Sequence, residues 1–345
     1  MSRKLIPIST IMTLMSTSVM ADVPNVAADI APIHSLVSKV MDGVGEPKLV
    51  IQSGASPHGY RLRPSEAKAL QDANLIFWMG EELTPWLDGA IDTLASNASV
   101  TSLLDQEGVV LHEFREGALF EAHDHSAHDD HDDHDDHDDH DDHDDHDDHD
   151  DHKDHDDHDD HDDHKDHDDH DDHGHGAHDP HAWLSPENAK LWLNIIASKL
   201  SVADPENAAS YFTNAAAGQA EIEDMVAEVS ATLKPVQGGK FVVFHDAYQY
   251  FENDFDFYAS GAISLGDASD PSPARIAEIQ RRIQEEGIQC VLAEPQYKKG
   301  LVATVMEGSE ATASVIDPMG ADIKPGPKLY TQLIKNMAKT LRDCL

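Results

Sequence analysis

Three histidines in this 345-residue sequence stand at positions where a metal site could form. His58 lies in a Pro/Gly turn, "GASPHGYRLRP", after an apolar run, and His245 ends the apolar run "KFVVFH". His181 lies in "DPHAWLSP", between a histidine-rich stretch and the start of a predicted helix. Zinc prefers imidazole nitrogen and thiolate in a tetrahedral array, so histidines from three segments would together suit it.

The positions of these histidines relative to the predicted strands favour a shared cleft. In β/α sheets, ligands bind outside the carboxyl ends of the strands, and both His58 and His245 fall at such ends. Asp317 also follows an apolar run, in "ASVIDPMG". Because a lone histidine is more often structural than a ligand, spacing by itself leaves the site a suggestion.

Short apolar runs alternate with amphipathic ones, which predicts β/α units. Strands are predicted for "EPKLVIQSG", "ANLIFWMG", "KFVVFH", "QCVLAEP" and "ASVID". Helices are predicted for "RPSEAKALQDAN", which Pro64 opens, and for "ENAKLWLNIIASKL", which Ser185 caps. Ser272 caps and Gly287 ends a third helix, "SPARIAEIQRRIQEEG", and an amphipathic helix closes the chain.

These elements predict an α/β fold with two lobes, each a mostly parallel sheet flanked by helices. We expect an N-terminal β/α lobe over residues 22–204 and a C-terminal β/α lobe over 235–345. One long helix, 205–234, joins them and would be roughly 40 Å long. The first lobe carries a His/Asp-rich insert, the tract, at residues 123–178.

The tract is chemically unlike the rest of the chain. Residues 123–179 hold 20 of the 25 histidines and 30 aspartates against two lysines, mainly as His-Asp-Asp units. Almost no apolar side chain is present to offset the entropy of ordering, so the tract is predicted to be disordered. Two roles remain open: low-affinity capture or buffering of zinc, and a solvated anionic spacer.

The first 21 residues have the features of an export signal. Arg3 and Lys4 precede an apolar stretch, and a small residue, Ala21, suits a peptidase site. We expect cleavage near Ala21. A membrane anchor is the alternative, but the stretch is short for spanning and Pro7 interrupts it.

The two cysteines, Cys290 and Cys344, are candidates for a disulfide. An even number of cysteines in an exported chain favours a bridge. It would stabilise the fold by roughly 4 kcal/mol in the chain-entropy model. Two buried free thiols are the alternative.

The ordered motifs "GASPHGYRLRPSEAKALQDANLIFWMG", "DPHAWLSP", "FVVFHDAYQYF", "AISLGDASDPSPARI", "VLAEPQY" and "VIDPMG" resemble those of one family. It is the zinc-specific group of metal-binding solute proteins of ABC transporters, and the resemblance runs over nearly the whole predicted mature chain. It implies a periplasmic protein that captures Zn²⁺ between two lobes and delivers it to an inner-membrane permease with its ATPase.

The resemblance also implies the site residues. The matching motifs give His58, His181 and His245 as metal ligands, and manganese-type relatives carry a carboxylate where His245 stands. Asp317 is the candidate fourth ligand, but turn amides could satisfy it instead, and water or a tract histidine could complete the site. His34 is expected to support the site or to be structural.

The remaining function classes follow from charge and motif content. A formal net charge of −43 disfavours nucleic acid as a partner, since such binding needs a basic face. The leading prediction is a monomeric binding protein, with zinc as transported ligand and no enzymatic activity. The alternatives are a periplasmic zinc store or metallochaperone, and a zinc-dependent hydrolase, against which no HExxH helix is present.

Overall fold

The computed structural model describes residues 23–115, Phe120, 178–264, 271–296 and 299–345. The predicted export signal lies outside these ranges. So does the tract, with the exception of its last residue, His178, which is part of the described fold.

Two four-stranded sheets, parallel throughout, organise the described residues. The first has strand order β2-β1-β3-β4, and the second has the same pattern, β6-β5-β7-β8. The strands of the first sheet are β1 Val26–Ala28, β2 Lys48–Leu49, β3 Leu75–Trp78 and β4 Ser99–Ser102. Those of the second are β5 Phe241–His245, β6 Ala262–Ser264, β7 Cys290–Ala293 and β8 Thr312–Val315.

Helices flank both sheets, as the sequence predicts for an α/β fold. Their bounds are α1 Ala31–Val40, α2 Pro64–Asp72, α3 Pro85–Leu94, α4 Pro186–Ala203, α5 Ala208–Leu233, α6 Gln249–Phe255, α7 Pro273–Glu286, α8 Lys299–Val305 and α9 Leu329–Cys344. The Ser185 and Ser272 side chains accept amide protons at the starts of α4 and α7, and Gly287 ends α7 with φ +68°. The predicted caps are confirmed.

The long helix α5 packs against elements of both lobes. Its 26 residues span about 39 Å, and it contacts α4, α1 and α9. At Gly218 a Cβ atom would lie 2.9 Å from Leu193 Cδ1, so the glycine permits the close approach to α4. One continuous hydrophobic core includes side chains from both sheets and from α5.

Cys290, at the start of β7, forms a disulfide with Cys344, at the end of α9. The predicted bridge is confirmed, and it ties the last helix to the second sheet. Separately, among the described residues we find no helix with the length and apolar character that crossing a membrane requires.

Candidate metal centre

The structure brings together the three histidines that the sequence singles out. One ring nitrogen from each of His58, His181 and His245 lies within 4.8 Å of the others. Across the described ranges, no other three His, Cys, Asp or Glu side chains form such a group. Zinc sits about 2.0–2.1 Å from each ligand nitrogen, so small rotations of the rings would let all three reach one ion.

His58 is half-buried and lies in the loop between β2 and α2. The Trp86 indole N–H donates to the carbonyl of Pro57, directly before it, at 2.7 Å. The Tyr60 hydroxyl donates to Glu66 at 2.8 Å. These two bonds hold the loop against α3 and α2, so the position of His58 depends on a local contact with α2 and on a more distant one with α3.

His181 is 4 % exposed and comes immediately before a 3-10 helix, Ala182–Leu184. Its Nδ1 lies 2.6 Å from Asp179 Oδ1, which also accepts the His181 backbone N–H at 2.9 Å. Its Nε2 is buried and has no hydrogen-bond partner in the described structure. A buried nitrogen atom of this kind, on a ring oriented by a carboxylate, is what a metal ligand requires.

His245 is the last residue of β5 and is 3 % exposed. Its Nδ1 lies 3.1 Å from Oε1 of Glu294, which directly follows β7, the neighbouring strand. Gln296 donates to the other Glu294 oxygen at 2.6 Å. The pair sits at the carboxyl ends of adjacent parallel strands, where strand order reverses and ligands collect.

Asp179 and Glu294 are functional candidates that the sequence analysis missed. Both are 2 % exposed, and each contacts Nδ1 of a clustered histidine. Burial by itself would raise the pKa of Asp179, but the His181 contact outweighs it and the pKa is lowered. Asp179 stands two residues before His181, and Glu294 ends a predicted strand; these positions were the available signal.

A buried ion network lies beside the cluster. The Arg115 guanidinium contacts Asp246, directly after His245, and Glu252 on α6. Burial raises the pKa values of Asp246 and Glu252, against the opposing effect of Arg115. Burial would lower the pKa of Arg115, but its two carboxylate partners raise it above the usual range.

Asp317 and His34, the other two residues that the sequence analysis names near the site, lie outside the histidine group. Both carboxylate oxygens of Asp317 accept backbone amides, from Met319, Gly320 and Ala321, at 2.9, 2.9 and 2.5 Å. This is the arrangement that a structural aspartate at a strand end would adopt.

His34 lies on α1, with Nε2 at 3.2 Å from the Pro47 carbonyl and Nδ1 at 3.4 Å from Ser38 Oγ. Its contacts are those of a structural histidine.

The cluster can hold a divalent cation with three imidazoles and leaves a fourth position for water or another ligand. This donor set suits zinc.

A family model described as "ZnuA: Zinc-uptake complex component A periplasmic" matches residues 26–344. Among curated proteins, a relative named "High-affinity zinc uptake system protein ZnuA" from Brucella abortus (strain 2308) is 48% identical over 320 residues, 93% of this chain and 91% of the relative. A protein of the same name from Paracoccus denitrificans is 45% identical over 326 residues, covering 94% and 93% of the two chains.

Solved structures share the fold. A crystal structure of ZnuA superposes with a TM-score of 0.68 at 20% identity and covers 94% of this chain and 99% of that one. A zinc-bound ZnuA mutant lacking residues 138–173 of its own sequence gives a TM-score of 0.67 at 20% identity, over 94% and 98% of the chains.

Proposed function

The chain belongs to the family of periplasmic A components of zinc-uptake complexes, and we propose that its three clustered histidines hold the zinc that it carries. As a member, it is the zinc-binding component of an ABC importer and not an enzyme. Its partners are accordingly a membrane permease and its ATPase.

The observation that carries the site assignment is the convergence of His58, His181 and His245. They come from three separate segments, and two of them carry a buried carboxylate on Nδ1. Three imidazoles favour zinc over the harder cations, which prefer oxygen ligands. Water or a tract histidine takes the fourth position, because the Asp317 oxygens are committed to backbone amides.

The finer features of the protein follow the same proposal. The mature chain begins near Asp22, after removal of residues 1–21, and acts as a monomer. Its lobes comprise residues 22–204 and 235–345, joined by 205–234. Two like sheets connected by one long helix support this division.

Alanine variants of the three histidines test the site. The full chain is loaded with zinc and dialysed against a weak chelator that removes exchangeable metal, and the remaining zinc is counted. We expect one retained zinc in the unsubstituted chain and none in His58→Ala, His181→Ala or His245→Ala.

His34→Gln is the control, because His34 contacts the Pro47 carbonyl at 3.2 Å and Ser38 Oγ at 3.4 Å and lies outside the cluster. Tight zinc retained in all three site variants would show that the histidines are not the ligands. Circular dichroism of each variant shows whether it is folded, so that zinc lost through unfolding is not mistaken for zinc lost from the site.

A further inference from the structure

Two segments pair with each other, one before the tract and one that begins at its last residue, and we call them the strap: residues 112–115 and 178–181. Glu113 and His178 form an antiparallel bridge, and the Asp179 N–H donates to the His112 carbonyl at 2.8 Å. By sequence both segments belong to the predicted N-terminal lobe.

The strap is anchored on α6, which belongs to the second lobe. The Tyr250 hydroxyl donates to the Asp179 carbonyl at 2.7 Å and accepts from the His112 N–H at 3.1 Å. The rings of His112 and Tyr250 lie 4.6 Å apart. Tyr250 therefore holds both segments of the strap to the same helix.

Arg115 makes the charged connection between the strap and the second lobe. Its Nε donates to Asp246 Oδ2 at 3.0 Å, and its Nη2 contacts Asp246 Oδ1, so the aspartate is held at both oxygens. Its Nη1 donates to Glu252 Oε2 at 2.6 Å. The three side chains are 16, 8 and 1 % exposed, so solvent does little to screen these contacts.

The strap and its charged connection join two of the clustered histidines. Asp246 directly follows His245, whereas Asp179, within the strap, bonds Nδ1 of His181. Arg115 therefore lies between the segment that carries His181 and the segment that carries His245. A planar guanidinium that meets one carboxylate at two points fixes orientation as well as distance, which a single-point contact does not.

We propose that Arg115 is a positioning residue that fixes the separation of His181 and His245 and so slows the release of zinc. The inference rests on the proposed zinc site. Arg115 does not touch the metal; it holds Asp246, and thereby the chain at His245, against the strap. Without it each histidine keeps its carboxylate and Tyr250 still holds the strap to α6, but Asp246, beside His245, is no longer held against the strap. Zinc binding must then also offset the entropy lost when the segments that carry His181 and His245 are brought together.

The same residue also contributes to folding, so the test must separate the two roles. Removing Arg115 leaves two buried carboxylates without a counter-charge, which destabilises a fold by itself. Glu252→Gln removes one charge of the network but keeps the Asp246 contact. We expect it to lower the apo-protein melting temperature while leaving zinc release within about twofold of the unsubstituted chain, since it leaves the Asp246 connection intact.

The experiment measures zinc release from the full chain, loaded with one equivalent of Zn²⁺, into an excess of a chromophoric chelator. Arg115→Met should release zinc at least about tenfold faster, the lower end of the range for residues that orient metal ligands. The release rate of Arg115→Lys should lie between those of Arg115→Met and of the unsubstituted chain, because an ammonium contacts Asp246 at only one point. Cobalt in place of zinc should show an altered visible absorption spectrum in Arg115→Met.

Arg282→Met is the matched control. Arg282 is also 16 % exposed and pairs with one carboxylate, Glu286, on α7. Its loss should leave zinc release unchanged.

A release rate in Arg115→Lys equal to that of the unsubstituted chain would overturn the proposal, as would release rates that follow melting temperature across all four variants. If the unsubstituted chain holds no chelator-resistant zinc, the proposed site itself fails. If Arg115→Met does not fold, Arg115→Lys and Glu252→Gln decide the outcome by the same criteria.

Discussion

At the residue scale, the site is a set of histidines whose rings are oriented by carboxylates. Asp179 and Glu294 contact Nδ1 of His181 and His245, which in the proposed site leaves Nε2 of each ring for the zinc. A carboxylate on the distal nitrogen fixes the tautomer and makes the imidazole a better ligand. Both carboxylates are buried, so their contacts with the rings are little weakened by solvent.

We expect Asp179→Asn and Glu294→Gln each to weaken zinc binding by about 10- to 100-fold, because the amide keeps the shape but loses the charge. Isothermal competition with a chelator of known affinity measures the change. Asp254→Asn, which alters a carboxylate bonded to Ser185 rather than to a ligand, is the control. Affinities unchanged in both site variants would show that the carboxylates are not needed for binding.

His34 should affect stability below neutral pH without affecting zinc binding. Burial lowers its pKa below 6.5, against the effect of the Pro47 carbonyl bond and of Glu46. The unfolded chain therefore takes up a proton more readily than the folded chain, and stability falls as pH drops below about 6.5.

His34→Gln should remove this part of the acid sensitivity in zinc-free protein. Denaturant unfolding at several pH values between about 5 and 7.5 measures it. An identical pH slope in the variant, or a loss of tight zinc, would contradict a structural role.

At the element scale, the site depends on where strands and helices end. His245 ends β5, Glu294 follows β7, and His181 is the last residue of the strap, before α4. The start of α4 is well defined, since Ser185 accepts the Asn188 amide and Pro186 takes the first helical position. The disulfide acts on the same sheet, because β7 begins at Cys290.

Replacing both Cys290 and Cys344 by alanine should lower the free energy of unfolding by about 4 kcal/mol, from the entropy of the loop that the bridge closes. Urea unfolding of the variant and of the oxidised parent measures the difference. Zinc affinity under native conditions should be unchanged, because the bridge is at the opposite end of β7 from Glu294. Equal unfolding free energies would contradict the prediction.

At the scale of the whole molecule, one core runs through both lobes. Side chains from the two sheets and from α5 belong to the same hydrophobic cluster. Polar contacts also cross between the halves: Trp183 donates to the Pro318 carbonyl at 2.8 Å, and Ser35 donates to that of Gly326 at 2.8 Å. A shared core resists large rotations of one lobe against the other.

Deleting residues 123–177 should leave the fold and the tight zinc site intact. Glu113 and His178 already pair, so shortening the connection between them does not remove a described contact. We expect the same single chelator-resistant zinc and fewer weakly bound ions than in the full chain. Equilibrium dialysis over a range of zinc concentrations measures both.

Ending the deletion at residue 177 matters, because removal of His178 would also remove its bridge to Glu113. Loss of tight zinc from the 123–177 deletion would mean that the tract supplies a ligand.

The sequence by itself determined much of this protein. Periodicity and capping residues predicted the two-lobed α/β fold, the strands β2, β3, β5, β7 and β8, and the helices α2, α4, α5, α7 and α9, because these signals are local. His58, His181 and His245 were singled out for the same reason, since each stands at the end or start of a predicted element. The export context gave the disulfide between Cys290 and Cys344, which the structure confirms.

Only the tertiary structure decided which side chains meet. Glu294 orients His245 because β5 and β7 are neighbours in the sheet, although 49 residues separate the two side chains. Asp317 turns to its own loop amides, whereas Arg115 reaches Asp246 across 131 residues. Local patterns record how each segment folds, but contacts between segments depend on how the chain packs as a whole. A single sequence therefore marks candidate positions such as Glu294, but not which of them pair.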